Sequence, residues 1–249
     1  MDMPLDILVF SPHPDDAELG CAGSLLLAVE RGLRVGVADL SRGELSSRGT
    51  PEQRNREINR ASEMMGLSVR LSVDLPDSEI GADPAHRLAV MQILRETRPR
   101  LVLAPFWKDR HPDHAAAGRL VREAFFFSGV KKLGAGHPHK PEQIFYYMLH
   151  YPFSPSFVVD IMSVWPRKLA VLEAYASQFQ SGGAEPDTTL SHPEFLRFVE
   201  ARALWFGAMI GVKFGEPFYL PGPVPLGELP LRCGQSSTGD NFPLYNLYA

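Results

Sequence analysis

Short apolar runs rich in β-branched and aromatic residues alternate with longer segments of helical periodicity along the chain. The short runs predict six strands, at residues 6–11, 34–41, 69–75, 101–106, 143–150 and 157–161. Each of the first four strands is followed by a predicted helix, at residues 17–31, 51–65, 85–97 and 112–127. This alternation predicts a three-layer, Rossmann-like α/β fold in which helices cover both faces of a mostly parallel sheet.

The second half of the chain is less regular. Two further helices are predicted at residues 166–178 and 193–211, joined by a loop that contains Gly, Ser and Pro. Prolines and glycines are frequent from residue 216 onward, which predicts a tail that wraps the surface or packs on a neighbouring subunit. We therefore expect a single domain over residues 1–249, with a Rossmann-like core (1–130), a β/α extension (131–215) and a Pro/Gly-rich tail (216–249).

The composition of the 249 residues is that of an ordinary globular chain, with 45% apolar and 22% charged residues. A formal net charge of -4 and a pI near 6.1 give no general attraction to nucleic acid or to an anionic membrane. The chain has no apolar run of 18 residues, and its first ten residues, "MDMPLDILVF", carry acids where a signal peptide carries basic residues. We therefore expect a cytoplasmic protein with no nucleic-acid or membrane partner.

A His-Pro-Asp triplet occurs twice, each time between a predicted strand and a predicted helix. The first lies in "VFSPHPDDAELG" at residues 9–20, and the second in "LVLAPFWKDRHPDHAAAG" at residues 101–118. In an open parallel sheet, ligands bind outside the carboxyl ends of the strands where the strand order reverses. Strands one and four flank that point in the common 3-2-1-4-5 order, so we expect both triplets to line one crevice.

The residue types in the two triplets favour a metal site. Imidazole nitrogens and a carboxylate oxygen suit zinc, and a catalytic zinc usually has three protein ligands and an open position for water. His13, Asp16 and His114 supply such a set, because the first and fourth positions of "HPDD" and "HPDH" lie about one helical turn apart. Asp15 remains available as a general base. The same set accepts ferrous iron as well as zinc. For Glu18 we expect only a favourable charge in the first helical turn.

Other interpretations of these motifs are open at this point. A single "HPDD" can be a helix start, with acids favourable to the helix dipole, although capping requires no histidine at either place. A non-enzymatic metal- or nucleotide-binding module would explain the sheet but not an acid beside a three-ligand set. A metal-dependent hydrolase of a phosphoester or of a non-sugar amide would use much the same chemistry. The chain contains no P-loop, GxGxxG or HEXXH motif, and its cysteines, Cys21 and Cys233, form no CxxC pair.

"PHPDDAELGCAG" together with "RHPDH" resembles the zinc-dependent N-acetylglucosaminyl deacetylases known as the LmbE-like or PIG-L-like family. The similarity extends through "SRGELSSRGTPEQRNREINRA", "YASQF" and "IGVKFGEPFY", and so covers the chain to about residue 223. Within the family, these longer segments resemble the deacetylases of bacillithiol biosynthesis. The resemblance implies hydrolysis of the acetamide of an amino sugar, N-acetylglucosaminyl malate above all, with other N-acetylglucosamine conjugates as alternatives. It also implies a homo-oligomer, commonly a trimer-based hexamer.

The resemblance also implies roles for individual residues. His13, Asp16 and His114 would bind zinc, and Asp15 would be the general base. His111 would stabilise the oxyanion or protonate the leaving amine. On charge alone, we expect a protonated His111 at the oxyanion, and the neighbouring Asp113 would favour that protonation. An aromatic hydroxyl that some relatives place near the active site has no clear match, since "ARALWFGAMIG" offers Trp205 and Phe206.

Four further residues are candidates for substrate binding. The resemblance implies that Arg54 and Arg110 face the substrate, Arg54 as a clamp for a malate carboxylate unless it is a solvated surface residue. Arg110 adjoins His111 in a loop, where binding residues concentrate. Glu44 follows the second strand at the same rim and could bind sugar hydroxyls or only form the turn. Gln178 could contact the site or only end a helix.

Overall fold

The computed structural model describes residues 4–182 and 186–223. In that part of the chain, strands and helices alternate from β1 to α4 and become less regular afterwards. The strands are β1 (Ile7–Ser11), β2 (Val35–Asp39), β3 (Val69–Ser72), β4 (Leu101–Pro105), β5 (Gln143–Tyr147), β6 (Phe157–Asp160) and β7 (Gly215–Tyr219). The helices are α1 (Asp16–Glu30), α2 (Pro51–Met65), α3 (Pro84–Thr97), α4 (Pro112–Phe127), α5 (Trp165–Glu173), α6 (Ala176–Phe179) and α7 (Glu194–Met209), with a 3₁₀ turn at Met162–Val164.

The strands form one sheet in the order β3-β2-β1-β4-β5-β7-β6. Strands β1 to β5 are parallel, whereas β7 is antiparallel to both β5 and β6. The predicted mostly parallel α/β sheet and its 3-2-1-4-5 order are confirmed. The order reverses between β1 and β4, so the crevice expected at a topological switch point opens above these two strands.

The core consists of two apolar layers, one on each face of the sheet. Successive side chains of a strand point to opposite faces, so Leu8 and Phe10 of β1 join one layer and Val9 joins the other. The layer of Val9 is completed by α1, α2, α5 and α7, and the layer of Leu8 by α3 and α4. This is the predicted three-layer arrangement.

A buried ion pair joins the second half of the sheet to α1. The Lys168 ammonium on α5 lies 2.6 Å from Glu216 Oε1 on β7, and both side chains are almost fully buried. Glu216 also accepts hydrogen bonds from the backbone N–H groups of Gly23 and Ser24 at 2.9 and 2.7 Å. Lys168 donates to Leu19 O at 3.0 Å. The pair therefore links β7, α5 and the middle of α1.

Three differences from the predicted elements have local physical causes. Strand β7 was not predicted, because "GEPFY" contains a glycine and a proline and falls at the start of the proposed tail. The helix expected at residues 166–178 is interrupted at Tyr175, whose backbone is not helical and whose hydroxyl donates to Glu18 Oε1 at 2.8 Å. The predicted strand 143–150 ends at Tyr147, so His150 lies in the loop beyond it. Most of the predicted tail lies outside the described residues.

No helix among the described residues is both long and apolar enough to cross a membrane.

Candidate active site

The two His-Pro-Asp triplets lie side by side at one edge of the sheet. The first follows β1 and the second follows β4, and these strands are parallel neighbours. Helix α4 begins at Pro112, whose ring fixes φ near the helical value. The crevice thus brings together residues that are distant in the sequence, such as His13 and Asp113, which are 100 positions apart.

Two imidazoles meet the carboxylate of Asp16. Asp16 Oδ2 lies 3.2 Å from His13 Nδ1 and 3.2 Å from His114 Nε2. Donor atoms that bind one tetrahedral zinc ion at about 2.0–2.2 Å stand about 3.3 Å apart, so these separations suit a shared divalent ion. The rings of His13, His111 and His114 also each offer a nitrogen within 4.8 Å of the others. The chemistry of the donors and their two separations from Asp16 therefore fit a metal ion.

The opposite ring nitrogens of His13 and His114 are held by further carboxylates. His13 Nε2 lies 3.1 Å from Asp77 Oδ1 and 3.2 Å from Asp113 Oδ2. His114 Nδ1 lies 3.1 Å from Asp109 Oδ1. Histidines that ligate metals usually donate their second ring N–H to such an acceptor, which fixes the tautomer and the ring orientation. The outer carboxylates thus direct His13 Nδ1 and His114 Nε2 toward Asp16.

The electrostatics of the crevice favour positive charge, because several neighbouring segments contribute carboxylates to it: Asp15, Asp16, Asp77, Asp109 and Asp113. Burial lowers the pKa of His13, but the surrounding acids outweigh burial and raise that pKa to about 12. Burial is likewise outweighed at His114, whose pKa is raised to about 9, mainly by Asp16 and Asp109. A field that stabilises two imidazolium groups also favours a divalent cation.

Asp15 occupies the N-cap position of α1 with a φ of 116°, a backbone conformation that residues with a Cβ rarely adopt. Such conformations cost about 1–3 kcal/mol and persist where the surroundings fix them. Arg54 fixes this one, since its Nη2 donates to Pro14 O and, at 3.1 Å, to Asp15 Oδ2. Burial raises the pKa of Asp15 to about 7, against the lowering effect of Arg54. A carboxylate with a pKa near neutrality is suited to general-base catalysis.

His111 is the N-cap residue of α4. Its Nδ1 accepts a hydrogen bond from the backbone N–H of Asp113 at 3.2 Å, so the neutral ring carries its proton on Nε2. Burial lowers the pKa of His111, and the charges of His114 and His13 lower it further. The opposing charges of Asp16 and Asp113 are smaller effects. The structure thus favours a neutral His111 over the protonated ring that we expected. The Asp113 carboxylate contacts His13 and accepts from the backbone N–H of Ser78.

Glu18 has more than the first-turn role that the sequence indicated. Its side chain is fully buried, and Oε1 accepts hydrogen bonds from Arg70 Nη1 at 2.5 Å and from Tyr175 at 2.8 Å. Arg70 also forms a two-pronged contact with Asp39, at 2.7 and 2.9 Å. This buried network supports the start of α1 from below the crevice.

A cavity of about 370 Å³ is lined by residues of both motifs: His13, Asp15, Asp16, His111 and His114. Three of the four predicted substrate-binding residues, Arg54, Arg110 and Gln178, also line this cavity. Arg110 is exposed at the rim. The amide of Gln178 is already engaged, since Oε1 accepts from Ser46 Oγ at 3.2 Å and Nε2 donates to Arg48 O at 3.0 Å. Gln178 therefore holds the loop that follows β2.

Glu44 does not line this cavity. Its carboxylate accepts a hydrogen bond from the backbone N–H of Asp77 at 2.8 Å, so it connects the loops that follow β2 and β3. Trp205 is exposed on α7 and Phe206 is buried, and neither lines the cavity. The structure therefore does not place Glu44 or these two aromatic residues where they would contact a substrate at the triplets.

Three residues of the crevice were not predicted from the sequence: Asp77, Asp109 and His150. Asp109 accepts hydrogen bonds at 2.9 Å from His150 Nδ1, from the His150 backbone N–H and from the His111 backbone N–H. The His150 ring stacks on His114, with centroids 5.1 Å apart. Each missed residue follows the carboxyl end of a strand, β3, β4 or β5, which is the same signal that selected the two triplets.

Known proteins share this sequence pattern and this architecture. Residues 8–125 match the family described as PIG-L: GlcNAc-PI de-N-acetylase. A diacetylchitobiose deacetylase of Thermococcus kodakarensis is 29% identical over 87% of this chain and 83% of the relative. A 4-oxalmesaconate hydratase of Pseudomonas putida is 29% identical over 69% of this chain and 73% of the relative. A probable N-acetyl-alpha-D-glucosaminyl L-malate deacetylase 2 of Bacillus anthracis is 26% identical over 70% of this chain and 81% of the relative.

Among solved structures, a conserved protein from Thermus thermophilus is 41% identical to this chain. The two superpose with a TM-score of 0.85, over 92% of this chain and 100% of that protein. The α/β architecture described above is therefore shared by a relative over nearly the whole chain.

Proposed function

The chain belongs to the PIG-L, or LmbE-like, family of de-N-acetylases, and from this premise we propose that it hydrolyses the acetamide of an N-acetylglucosamine conjugate with a metal ion held by His13, Asp16 and His114. That it is a hydrolytic N-deacetylase follows from its relatives. The identity of the metal, the ligand set and the individual catalytic roles are our proposals.

One observation carries the metal proposal: Asp16 Oδ2 stands 3.2 Å from both His13 Nδ1 and His114 Nε2, while outer carboxylates hold the opposite ring nitrogens. Two imidazoles and one carboxylate are typical of catalytic zinc and also suit ferrous iron. A zinc ion held there would supply Lewis acidity, polarising the carbonyl and lowering the pKa of water to about 7.

Asp15 is the proposed base. Its carboxylate takes a proton from the attacking water as the water oxygen forms a bond to the acetamide carbon. The strained backbone and the contact with Arg54 keep this carboxylate in one position, and burial raises its pKa to about 7. Asp15 can therefore accept the proton near neutral pH and release it again in the next step.

His111 is the proposed donor to the oxygen that gains negative charge. Because its Nδ1 accepts from the Asp113 backbone N–H, its Nε2–H is the group that can donate. The C–N bond then breaks, its electron pair goes to nitrogen, and Asp15 returns its proton to that nitrogen. The products are acetate and the free amino sugar.

For the second half of the conjugate, two candidates have support. The longer segments of the sequence resemble enzymes of bacillithiol biosynthesis, and the relative from Bacillus anthracis supports N-acetylglucosaminyl malate. The more similar relative from Thermococcus kodakarensis supports a chitooligosaccharide such as diacetylchitobiose. The cytoplasmic location, the single domain and the trimer-based hexamer stay predictions.

A hydratase is the second candidate function. It rests on the relative from Pseudomonas putida, which matches this chain at the same 29% identity as the diacetylchitobiose deacetylase. A metal ion and a carboxylate base would serve the addition of water to a polarised double bond equally well. The deacetylase is preferred because the family match lies on the segment that carries both triplets.

An acetate-release assay tests the proposal. Zinc-loaded protein is incubated with N-acetylglucosamine, diacetylchitobiose and N-acetylglucosaminyl malate, and in parallel with an unsaturated dicarboxylate whose ultraviolet absorbance falls on hydration. We expect acetate from at least one amino sugar and no change in the dicarboxylate. Hydration without acetate release would replace the proposal with the second candidate, and acetate from none of the three substrates would overturn it.

A further inference from the structure

A second cavity, of about 520 Å³, adjoins the cavity of the triplets. Three residues line both cavities: Arg110, His150 and Thr188. Its volume lies within the range of about 300–1,000 Å³ that is typical of small-molecule sites. A substrate whose acetamide lies at the triplets can therefore extend into this second space without leaving the protein surface.

Aromatic side chains form the wall of the second cavity. Phe195 is buried, whereas Phe198 and Tyr151 are 48% and 52% exposed. These two rings thus expose apolar surface beside the crevice of the triplets, where a ligand can cover it. The C–H face of a sugar ring, or another flat apolar face, would cover these rings and remove them from water.

The remaining lining is polar and carries little net charge. The hydroxyls of Thr188 and Thr189 offer hydrogen-bonding groups, as does the ring of His192. Arg110 is the one arginine and Glu194 the one acid among the lining residues, and the Glu194 carboxylate also pairs with Arg197. Recognition of a dicarboxylate such as malate would call for paired cationic forks. Arg54, the other cation at the triplets, does not line the second cavity. Its Nη2 donates to Asp15 and Pro14, while its Nε and Nη1 are buried without a partner among the described residues. The lining thus suits an uncharged polyhydroxyl group better than a dianion.

His150 stands at the junction between the two cavities in a fixed orientation. Asp109 accepts hydrogen bonds from its backbone N–H and from Nδ1, both at 2.9 Å, and the ring stacks on His114. Because Asp109 takes Nδ1, Nε2 is the ring nitrogen that can meet a ligand. A hydroxyl between two linked rings would find a preoriented partner there.

We propose that this second cavity binds an uncharged sugar ring joined to the N-acetylglucosamine unit, so that the preferred substrate is an oligosaccharide. The proposal rests on the proposed deacetylase function and names the second half of its substrate. Phe198 and Tyr151 contact the face of the second ring, and His150 and Thr188 meet hydroxyls at the junction.

The test compares two variants of α7. Phe198→Ala removes an aromatic wall of the cavity, while Met209→Ala removes a side chain that is also 48% exposed on α7 and does not line the cavity. For each protein, kcat/KM is measured with N-acetylglucosamine, diacetylchitobiose and N-acetylglucosaminyl malate. Binding of the same three compounds to the zinc-loaded proteins is measured by calorimetry.

The wild-type protein should prefer diacetylchitobiose over the other two substrates by at least about tenfold in kcat/KM. Phe198→Ala should lose most of that preference, with kcat/KM for the monosaccharide unchanged. Phe198→Tyr should keep the preference, because it keeps the aromatic ring. Met209→Ala should change kcat/KM for neither the monosaccharide nor the disaccharide. Equal use of the monosaccharide and the disaccharide, preference for the malate conjugate, or an equal loss on all substrates would overturn the second-ring site.

Failure of the function itself gives a different result. If no substrate releases acetate, the deacetylase proposal falls and calorimetry alone decides the sugar site. Binding of diacetylchitobiose that Phe198→Ala weakens at least about tenfold would keep it. The second-ring site would be disproved if diacetylchitobiose did not bind, or if it bound equally to the wild type and to Phe198→Ala.

Discussion

Arg54 Nη2 lies 3.1 Å from Asp15 Oδ2, and the two side chains are 8% and 6% exposed. The arginine proposed from the sequence as a carboxylate clamp is thus bound to the candidate base. The same nitrogen donates to Pro14 O, next to the one residue of the α1 start that has a strained φ. We infer that Arg54 positions Asp15.

Replacing Arg54 should lower turnover on every substrate. In Arg54→Gln, Asp15 loses the contact that fixes its carboxylate, and misplacement of a reacting group by about 1 Å can cost about 10²-fold. We expect kcat to fall by about that factor on all substrates, with KM and metal content little changed. Steady-state kinetics on each amino sugar measures this.

The control for that experiment is Arg56→Gln, because Arg56 is exposed on the same helix and should leave both constants unchanged. A substrate clamp would behave differently from a positioning residue. If Arg54→Gln raised KM for the malate conjugate alone and kept kcat, Arg54 would bind substrate and our assignment would be wrong.

Asp15 and His114 should separate catalysis from metal binding. Asp15→Asn keeps the shape of the side chain but cannot accept the proton, so turnover should fall by about 10²–10⁴-fold while the bound metal stays. His114→Ala should lose the metal and the activity together. Metal analysis by mass spectrometry, run beside the acetate assay, distinguishes the two. Loss of metal in Asp15→Asn with activity restored by excess zinc would contradict these roles.

Asp109 should control how tightly the metal is held. In Asp109→Asn, His114 loses the carboxylate that orients it, and loss of such an outer contact typically weakens metal affinity by about 10–100-fold. Competition with a chromophoric chelator measures the affinity. Asp74→Asn is the control, since Asp74 pairs with Arg42 on the exposed surface. Equal metal affinities for Asp109→Asn and Asp74→Asn would show that Asp109 does not contribute to metal binding.

The first half of the fold was predictable from the sequence because its signals are local. Strands β1 to β4 and helices α1 to α4 follow from apolar periodicity and begin within a residue of the predicted positions. Strand β7 was missed because its pairing with β5 and β6 joins distant segments, and its own Gly and Pro disfavour a strand. Likewise, the break between α5 and α6 depends on the contact of Tyr175 with Glu18.

The candidate site was also predictable only where its signals are local in the sequence. The sequence could identify His13, Asp16 and His114, because two matching His-Pro-Asp motifs follow two predicted strands. Asp109 and His150 could not, since their significance depends on a hydrogen bond between residues 41 positions apart. Nor could the sequence show that Arg54 reaches Asp15, 39 positions away, or that Gln178 is bound to Ser46 and Arg48. Motifs identify the donors, whereas the contacts that position them require the structure.

The buried pair Lys168–Glu216 should matter for stability. In Lys168→Met, the Glu216 carboxylate loses its cation while it stays buried, and breaking such a pair costs about 3–5 kcal/mol. Urea unfolding followed by circular dichroism measures the change. The neighbouring Arg167 pairs with Glu30 on the surface, so Arg167→Met should cost at most about 1 kcal/mol. Similar losses for both variants would show that the buried pair has no special role.

We propose that this protein is a deacetylase because one metal ion at the two triplets acts together with Asp15. The measurement that tests this is a titration of metal-free protein with zinc, in which acetate release from the best amino-sugar substrate is followed at each step. We predict that activity rises in proportion to bound zinc and levels off at about one ion per chain, and that Asp15→Asn binds the same amount without releasing acetate. Acetate release that persists in chelated protein, or that is equal in Asp15→Asn, would contradict the claim.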